Sequence, residues 1–143
     1  MIKLISSTWG DRERLERWIK EDPYHKDFLH PFWWLTGRDG TLLCFRLDDF
    51  DGPLCYVRLD EKLPDGTIRL HTQFAPREEV SKLRLVKGML KCIPIILHVC
   101  RQQHAVSIVF QSVSPTLIGF MQKKFGFQPA GGTDYMLPLQ AGV

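Results

Sequence analysis

The chain has 143 residues, of which 44% are apolar and 24% charged, so it is long enough to form one domain with a sizeable core. Its formal net charge of +3 is too small to indicate nucleic-acid binding, and no run reaches the roughly 18 apolar residues that a membrane span needs. The first residues, Met1 to Ser6, turn polar too soon for a signal peptide. We therefore expect a cytoplasmic protein with a single domain, residues 1–143.

The cysteines of the chain lie in apolar stretches, and none forms a C-x-x-C pair. Because no histidine lies at zinc-finger spacing from them either, we expect no metal site. Reduced, buried thiols are expected instead, which again favours the cytoplasm. The four cysteines are Cys44, Cys55, Cys92 and Cys100.

The N-terminal part begins with a short strand, predicted at 2–6, and an amphipathic helix. Asp11 is placed to cap a helix over about 12–21. Apolar side chains within that range recur at spacings of three and four, which predicts one buried stripe. The helix should end at Asp22-Pro23, because the residue before a proline avoids helical geometry.

An aromatic-rich segment follows, from Tyr24 to Leu35. Its side chains have two interpretations: they pack on the sheet as core, or they line a pocket for an amine or apolar acceptor. The core candidates are Phe28, Phe32, Trp33 and Trp34, and the pocket candidates are Tyr24, His25, His30, Trp33 and Trp34.

Three strands separated by turns come next. Turn residues cluster at 37–40, 49–53 and 64–66, and the stretches between and after them have the length of strands. Because hairpin-like spacing places consecutive strands side by side, we expect an antiparallel arrangement here. The strands are predicted at 41–47, 54–59 and 67–74.

A long helix is predicted from Val80 to about Gln103, because apolar residues recur there at helical spacing. Pro94 lies inside this pattern, where it removes a backbone donor and crowds the carbonyl of the preceding turn. We therefore expect a kink or a break into two helices at this proline. The side chains expected to pack on the sheet are Val86, Leu90, Ile93 and Leu97.

A strand, a short helix and a last strand complete the chain. The stretch 106–110 is rich in β-branched residues, as strands are. Ser114 can cap a helix over about 115–124, and the last strand is predicted at 135–139. The long helix then crosses between the strands at 67–74 and 106–110, which implies that these two strands are parallel.

Two local features accompany this order of elements: a strand that ends in Gln73-Phe74-Ala75-Pro76, and a short helix that closes on Gly126-Phe127. The stretch from Ile68 to Leu139 as a whole resembles the acyl-CoA-binding half of the GNAT-type N-acetyltransferases. The resemblance implies an α/β fold, with a mixed, mostly antiparallel, twisted sheet and helices on both faces. In that family the two parallel strands diverge at their ends, and the acyl-CoA thioester enters the gap.

The resemblance also implies a reaction, the transfer of an acyl group from acyl-CoA to an amine within a ternary complex. Acetyl-CoA is the expected co-substrate, and a small-molecule or peptide amine is the expected acceptor. Neither nucleic acid nor a membrane is an expected partner, and a homodimer stays open. The alternative is a non-catalytic GNAT-like binding or structural module, since a fold alone does not give a function.

The residues that would bind acetyl-CoA follow from matching the family's pattern to this chain. Backbone groups of the strand end would pair with pantetheine as an added strand. The pyrophosphate motif of the family, an Arg or Gln followed by small residues, has its nearest match at 84–89, although a solvated helix face is the other interpretation of these charges. The expected residues are Thr72, Gln73 and Phe74 for pantetheine, and Arg84, Lys87 and Gly88 for the phosphates.

Two residues are candidates for proton transfer. His71 lies on the strand where the family often places an acidic base, and an imidazole is suited to that role. It shares a face with Arg69 and Gln73, however, and a polar strand face explains all three without catalysis. Gln122 lies where the family often has an acidic tyrosine, four residues before Gly126, and an amide can donate a hydrogen bond but not a proton.

Overall fold

The computed structural model describes residues 2–25, 30–35 and 40–139, without the side chain of Phe32. These residues form seven strands and four α-helices, and a short 3-10 turn at Trp9–Asp11 precedes the first helix. In chain order the elements are β1 (Lys3–Ser6), α1 (Arg12–Glu21), α2 (Pro31–Leu35), β2 (Thr41–Asp49), β3 (Gly52–Asp60), β4 (Thr67–Phe74), α3 (Lys82–Gln102), β5 (Ser107–Gln111), α4 (Pro115–Phe125), β6 (Gln128–Pro129) and β7 (Asp134–Pro138).

The strands form one sheet in the order β1-β2-β3-β4-β5-β7-β6. Every neighbouring pair is antiparallel except β4 and β5, which are parallel and are connected by the long helix α3. The antiparallel arrangement and the single parallel pair expected from the sequence are therefore confirmed.

Helices lie on both faces of this sheet. Side chains alternate along a strand, so neighbouring Cys55 and Tyr56 of β3 point to opposite faces. Trp18 of α1 packs edge to face on Tyr56, with ring centroids 5.4 Å apart, so α1 covers one face. Gly88 of α3 packs against Leu47, which is the register partner of Cys55, so α3 covers the other. The predicted mixed α/β architecture is confirmed.

The buried stripe of α3 differs in part from the prediction. Ile93 is only 1% exposed and Leu97 is buried as expected, but Leu90 is 40% exposed. The helix is apolar on more than one side, so the spacing alone allowed more than one phase, and the contact of α3 with the sheet at Gly88 selects the phase observed. The helix also continues unbroken through Pro94, so a break into two helices is wrong. Its buried residues are Gly88, Met89, Cys92, Ile93, Ile96, Leu97 and Cys100.

Asp11 precedes α1 but does not cap it, because its side chain accepts no backbone N–H of that helix. The side chain is buried and accepts hydrogen bonds from the Thr8 N–H at 2.9 Å, Arg46 Nη1 at 2.7 Å and the Tyr56 hydroxyl at 2.7 Å. Burial raises the pKa of Asp11, but these hydrogen bonds and the charge of Arg46 outweigh it and hold the pKa below its ordinary value. The carboxylate thus joins the start of α1 to β2 and β3.

The cysteines are free, and three of them are fully buried while Cys44 is half-buried. Burial raises the pKa of the Cys92 thiol to about 12 and that of Cys100 to about 11, so these thiols are protonated at neutral pH. Across the described ranges, no helix has both the length and the apolar character needed to cross a membrane.

Candidate active site

β4 and β5 pair only over part of their length. The parallel register runs from Thr67 beside Ser107 to Leu70 beside Phe110. Beyond Leu70, β4 continues to its end, and within the described residues it is paired there with β3 only. The chain after β5 instead stays close to the start of β7, because the Ser112 N–H donates to the carbonyl of Thr133 at 3.0 Å. The two strands therefore diverge, and a cavity of about 840 Å³ lies at the divergence.

The cavity passes through the sheet from one face to the other. Leu70, Phe74 and Phe110 line it from the face covered by α3. His71 and Trp18 line it from the face covered by α1. Because consecutive residues of β4 point to opposite faces, lining by both Leu70 and His71 requires that the opening lie beside the strand. A ligand on one face can therefore reach a ligand on the other through this gap.

The first turn of α3 lies at the margin of this cavity. Ser81 caps the helix, and its hydroxyl accepts from the Arg84 N–H at 3.3 Å. The first N–H groups of a helix have no partner within the helix, and here those of Lys82 and Leu83 remain after the cap is satisfied. The side chain of Lys82 also lines the cavity. Unpaired N–H groups, the positive end of the helix dipole and an ammonium group together favour an anion.

Of the predicted phosphate residues, Arg84 lies in this first turn of α3, and Lys87 and Gly88 lie in the next turn. Arg84 is held by Asp49, and this hydrogen-bonded pair raises the pKa of Arg84 and lowers that of Asp49. Gly88 is buried against Leu54, so closely that an added Cβ would lie 2.6 Å from Leu54 Cδ1. Neither these residues nor the exposed Lys87 line the cavity. Phosphate binding at 84–88 therefore stays a prediction; in the structure this stretch is helical, and its glycine serves close packing.

His71 belongs to a four-residue cluster on the α1–α2 face. Its Nε2 lies 2.9 Å from Asp60 Oδ2, and its ring packs edge to face on Trp33 with centroids 4.6 Å apart. Arg58 donates from Nε to Asp60 Oδ1 at 3.0 Å and lies 4.1 Å from the centre of the Trp33 ring. Burial raises the pKa of Asp60, but its bonds to His71 and Arg58 outweigh burial, so its pKa is lowered.

His25 belongs to a second cluster, with Gln73 and Asp22. Its Nδ1 lies 2.7 Å from Gln73 Oε1 and 3.3 Å from Asp22 Oδ2. The amide nitrogen of Gln73, whose side chain is fully buried, donates to Asp22 Oδ2 at 3.0 Å and to the carbonyl of Phe74 at 3.1 Å. Asp22 Oδ1 accepts from the Tyr24 N–H at 2.8 Å, which fixes the turn after α1.

Glu79, between β4 and α3, joins that segment to α1. Its Oε2 accepts from Trp18 Nε1 at 2.8 Å, and its Oε1 pairs with Arg17. These two bonds hold the end of α1, and with it the turn that carries His25, against the wall that leads into α3.

Gln122 lies on α4, half-buried, and is not among the residues that line the cavity. Its backbone carbonyl accepts from the Gly126 N–H at 3.0 Å and so takes part in ending the helix. Thr116, Leu117 and Phe120 line the cavity from the same helix. A role of Gln122 in proton transfer therefore stays a prediction that rests on the resemblance alone.

The aromatic segment divides between the two interpretations. Tyr24 and His25 line the cavity, whereas Trp34 is fully buried as core. Trp33 contacts His71 and is not part of the cavity wall. Of the other candidates, His30 is not in the lining, and Phe28 and the side chain of Phe32 lie outside the described residues.

Comparison of the sequence with models of known families finds no match, and comparison with curated proteins finds none either. Solved structures are similar in fold. A GNAT-family acetyltransferase from Staphylococcus aureus Mu50 has a TM-score of 0.71 at 14% identity, with 98% of this chain and 100% of that chain covered. The ribosomal-protein-S18-alanine N-acetyltransferase from Escherichia coli has a TM-score of 0.70 at 13% identity, with 99% and 97% covered.

An aminoglycoside acetyltransferase in complex with coenzyme A and kanamycin has a TM-score of 0.68 at 13% identity, with 96% of this chain and 95% of that chain covered. Because each match extends over nearly the whole of both chains, the similarity concerns the complete fold. The protein therefore has the fold of the GNAT acetyltransferases, as the resemblance of its C-terminal half implied.

Proposed function

We propose that this protein transfers an acyl group, acetyl in the first instance, from acyl-CoA to an amine by direct attack within a ternary complex. One observation carries the proposal: the cavity at the divergence of β4 and β5 passes through the sheet, and α3 begins at its margin. A thioester held on one face can meet an amine held on the other. The similarly folded aminoglycoside acetyltransferase, which binds coenzyme A and kanamycin together, supports this reaction class.

The free edge of β4 would bind the pantetheine arm. Thr72, Gln73 and Phe74 lie in the part of β4 beyond its pairing with β5, so their backbone groups can bind an extended ligand as an added strand. Thr72 and Phe74 also line the cavity, whereas Gln73 would take part through its backbone alone, since its side chain is bonded to Asp22.

The first turn of α3 would bind the pyrophosphate. The N–H groups of Lys82 and Leu83 can donate to phosphate oxygens, and the Lys82 ammonium adds a positive charge at the cavity wall. Arg77 lines the same part of the cavity and is a second source of positive charge. This assignment replaces the one inferred for 84–88 and keeps the same physical principle, a helix N-terminus facing an anion.

The acceptor would enter from the α1–α2 face, where Glu21, Asp22, His25 and His71 line the cavity. Carboxylates suit a cationic amine, which must lose a proton before it attacks the thioester carbon. The thiolate that leaves needs little help, because a CoA thiol has a pKa comparable to that of cysteine, about 8.5. A small-molecule or peptide amine therefore stays the proposed acceptor, and the four free cysteines support a reducing, cytoplasmic setting.

Calorimetric titration with acetyl-CoA tests the proposal first, and release of free CoA thiol in the presence of amines tests it second. Kanamycin, spermidine and a peptide that begins with alanine cover three kinds of amine. Binding of acetyl-CoA together with amine-dependent thiol release is the expected result. The absence of both would favour the alternative, a non-catalytic module with this fold.

A further inference from the structure

We infer that the general base of the proposed reaction is His25, positioned by the side chain of Gln73; this inference rests on the proposed function. His25 lies in the turn after α1, is 29% exposed at its side chain and lines the cavity on the face where the amine would enter. The sequence placed His25 among pocket candidates and gave the role of base to His71.

The hydrogen bonds of Gln73 determine which way its amide points. Its Nε2 faces Asp22 Oδ2 at 3.0 Å and the Phe74 carbonyl at 3.1 Å, and both of these groups can only accept. The NH2 group must therefore occupy that position, and the amide oxygen must face His25. Because Gln73 is fully buried, no solvent competes for either end of its amide.

The orientation of Gln73 in turn determines the tautomer of His25. Nδ1 faces the amide oxygen at 2.7 Å and Asp22 Oδ2 at 3.3 Å, so it meets two acceptors and must carry the proton. The neutral ring then has its lone pair on Nε2, the nitrogen farther from the backbone. A histidine base requires an Nδ1–H bonded to acceptors and an Nε2 open to the substrate, and no described residue bonds to Nε2 of His25.

His71 lacks this arrangement, although it lines the same cavity. Its outer nitrogen, Nε2, is the one bonded to Asp60, at 2.9 Å. The nitrogen left for a substrate would be Nδ1, which is attached next to the side chain's own Cβ and lies close to the strand. The ring is also packed on Trp33. These contacts make His71 part of the wall that holds the acceptor rather than the group that deprotonates it.

His25 Nε2 takes one proton from the ammonium form of the acceptor, and the freed nitrogen pair attacks the thioester carbon. The carbon–sulfur bond breaks with its electron pair on sulfur, the attacking nitrogen gives its second proton to that sulfur, and the amide and free thiol result. The imidazolium then returns its proton to water. Asp22, 3.3 Å from Nδ1, stabilises the imidazolium while it exists.

The first test needs no ligand. Long-range 1H–15N NMR spectra of the full chain labelled with 15N-histidine report the tautomer of each ring, and His25→Gln identifies the His25 signal by its loss. The Nδ1–H tautomer is expected for His25, and Gln73→Met should make the Nε2–H form detectable because one acceptor is lost. An Nε2–H tautomer of His25 in the wild-type protein would overturn the inference.

The second test measures thiol release from acetyl-CoA with the amine on which the wild-type protein acts. His25→Gln should lower kcat/KM by at least about 100-fold and remove its decrease toward acidic pH, while acetyl-CoA affinity stays within about twofold. His98→Gln, on the exposed side of α3 away from the cavity, is the matched control and should keep both the rate and the pH profile.

Other ionisable groups line the cavity, so variants must show which of them causes the decrease in rate at acidic pH. If the acidic limb disappears in His71→Gln and persists in His25→Gln, His71 is the base and the inference fails, although the proposed function stands. If the wild-type protein neither binds acetyl-CoA nor acts on any of the amines, the proposed function itself fails, and the inference with it. The other ionisable side chains that line the cavity are Glu21, Asp22, Tyr24, Arg77, Glu78 and Lys82.

Discussion

Arg84 and Asp49 form a bidentate ion pair, with Nε 2.9 Å from Oδ2 and Nη2 2.7 Å from Oδ1. The pair joins the first turn of α3 to the end of β2. A guanidinium that already has a carboxylate partner must give up that partner before it can bind a phosphate. Lys82 lines the cavity from the same helical turn and forms no ion pair within the described residues, so of these two cations it is the one that we expect to meet CoA.

The first prediction separates these two cations. Lys82→Ala should weaken acetyl-CoA binding roughly tenfold and reduce its dependence on salt, because a charged contact with phosphate is lost. Arg84→Ala should instead lower the free energy of unfolding by about 1 kcal/mol and change acetyl-CoA affinity by less than about twofold. Calorimetric titration and urea unfolding measure the two effects. Equal loss of affinity in both variants would return Arg84 to the phosphate site.

A second prediction concerns Gly88 and Gly119, which lie inside α-helices. Gly88→Ala should lower the free energy of unfolding by about 1–2 kcal/mol, because the new Cβ would lie 2.6 Å from Leu54 Cδ1 in the core. Gly119→Ala on α4 is the matched control: nothing lies within 4 Å of its added Cβ. Alanine is the better helix former by about 0.5–1 kcal/mol, so this variant should be more stable. A stabilised Gly88→Ala variant would show that the contact has room to adjust.

The pattern of α3 shows what the sequence could and could not predict about the fold. Helical spacing correctly predicted the helix, and with it the parallel pair that it connects. It did not fix the phase, because Leu90 and Ile95 extend the apolar surface beyond one stripe. Which side faces the sheet depends on the close approach at Gly88, a contact with Leu54 and Leu47 that belongs to other elements.

The third prediction follows from that phase. Ile93→Ala should cost about 2–5 kcal/mol in free energy of unfolding, the range for a buried aliphatic side chain. Leu90→Ala should cost less than about 1 kcal/mol, because the side chain is 40% exposed and leaves no closed cavity. Urea unfolding of both variants under one set of conditions makes the comparison. A larger cost for Leu90 than for Ile93 would contradict the phase of α3 described here.

The fourth prediction is a pH dependence that comes from Asp11. Its folded-state pKa is lowered, so its charge stabilises the fold above the unfolded value of about 3.9, and this contribution is lost as the pH falls through the folded value. The free energy of unfolding of the wild-type protein should therefore decrease below about pH 4. Asp11→Asn should lower the free energy of unfolding by roughly 3 kcal/mol at pH 7, and not more, because Arg46 keeps its bond to Asp48. The free energy of unfolding of this variant should also decrease less steeply in acid than that of the wild-type protein.

A control variant and two other carboxylates bear on the acid sensitivity predicted for Asp11. Glu13→Gln removes an exposed carboxylate from the same helix and should change the free energy of unfolding by less than about 0.5 kcal/mol. Asp49 and Asp60 also have lowered pKa values, so some acid sensitivity should remain in Asp11→Asn. An acid limb identical to that of the wild-type protein would mean that Asp11 does not contribute to it.

The sequence could predict how candidate site residues are placed within one strand, but not which residues from other elements contact them. Because side chains alternate along a strand, the sequence predicted that His71 and Gln73 share one face of β4, and they do. The partners of these residues could not be read from spacing, because His25 is 48 residues from Gln73 and Asp60 is 11 residues from His71. The nearest match to the family's phosphate motif lies at 84–89, and that motif does not indicate that Ser81 caps the helix.

The last prediction concerns Gln122, which the sequence places where a catalytic tyrosine is often found. Because Gln122 does not line the cavity, Gln122→Ala should change turnover by less than about twofold, and Gln122→Tyr should not raise it. Thr116→Ala, on the cavity side of the same helix, is the comparison that should affect acetyl-CoA binding or turnover more. Thiol release with acetyl-CoA at fixed amine concentration measures all three variants. A drop of 1000-fold or more in Gln122→Ala, with unfolding and acetyl-CoA affinity unchanged, would show that the amide reaches the thioester after all, which requires α4 to move when substrate binds.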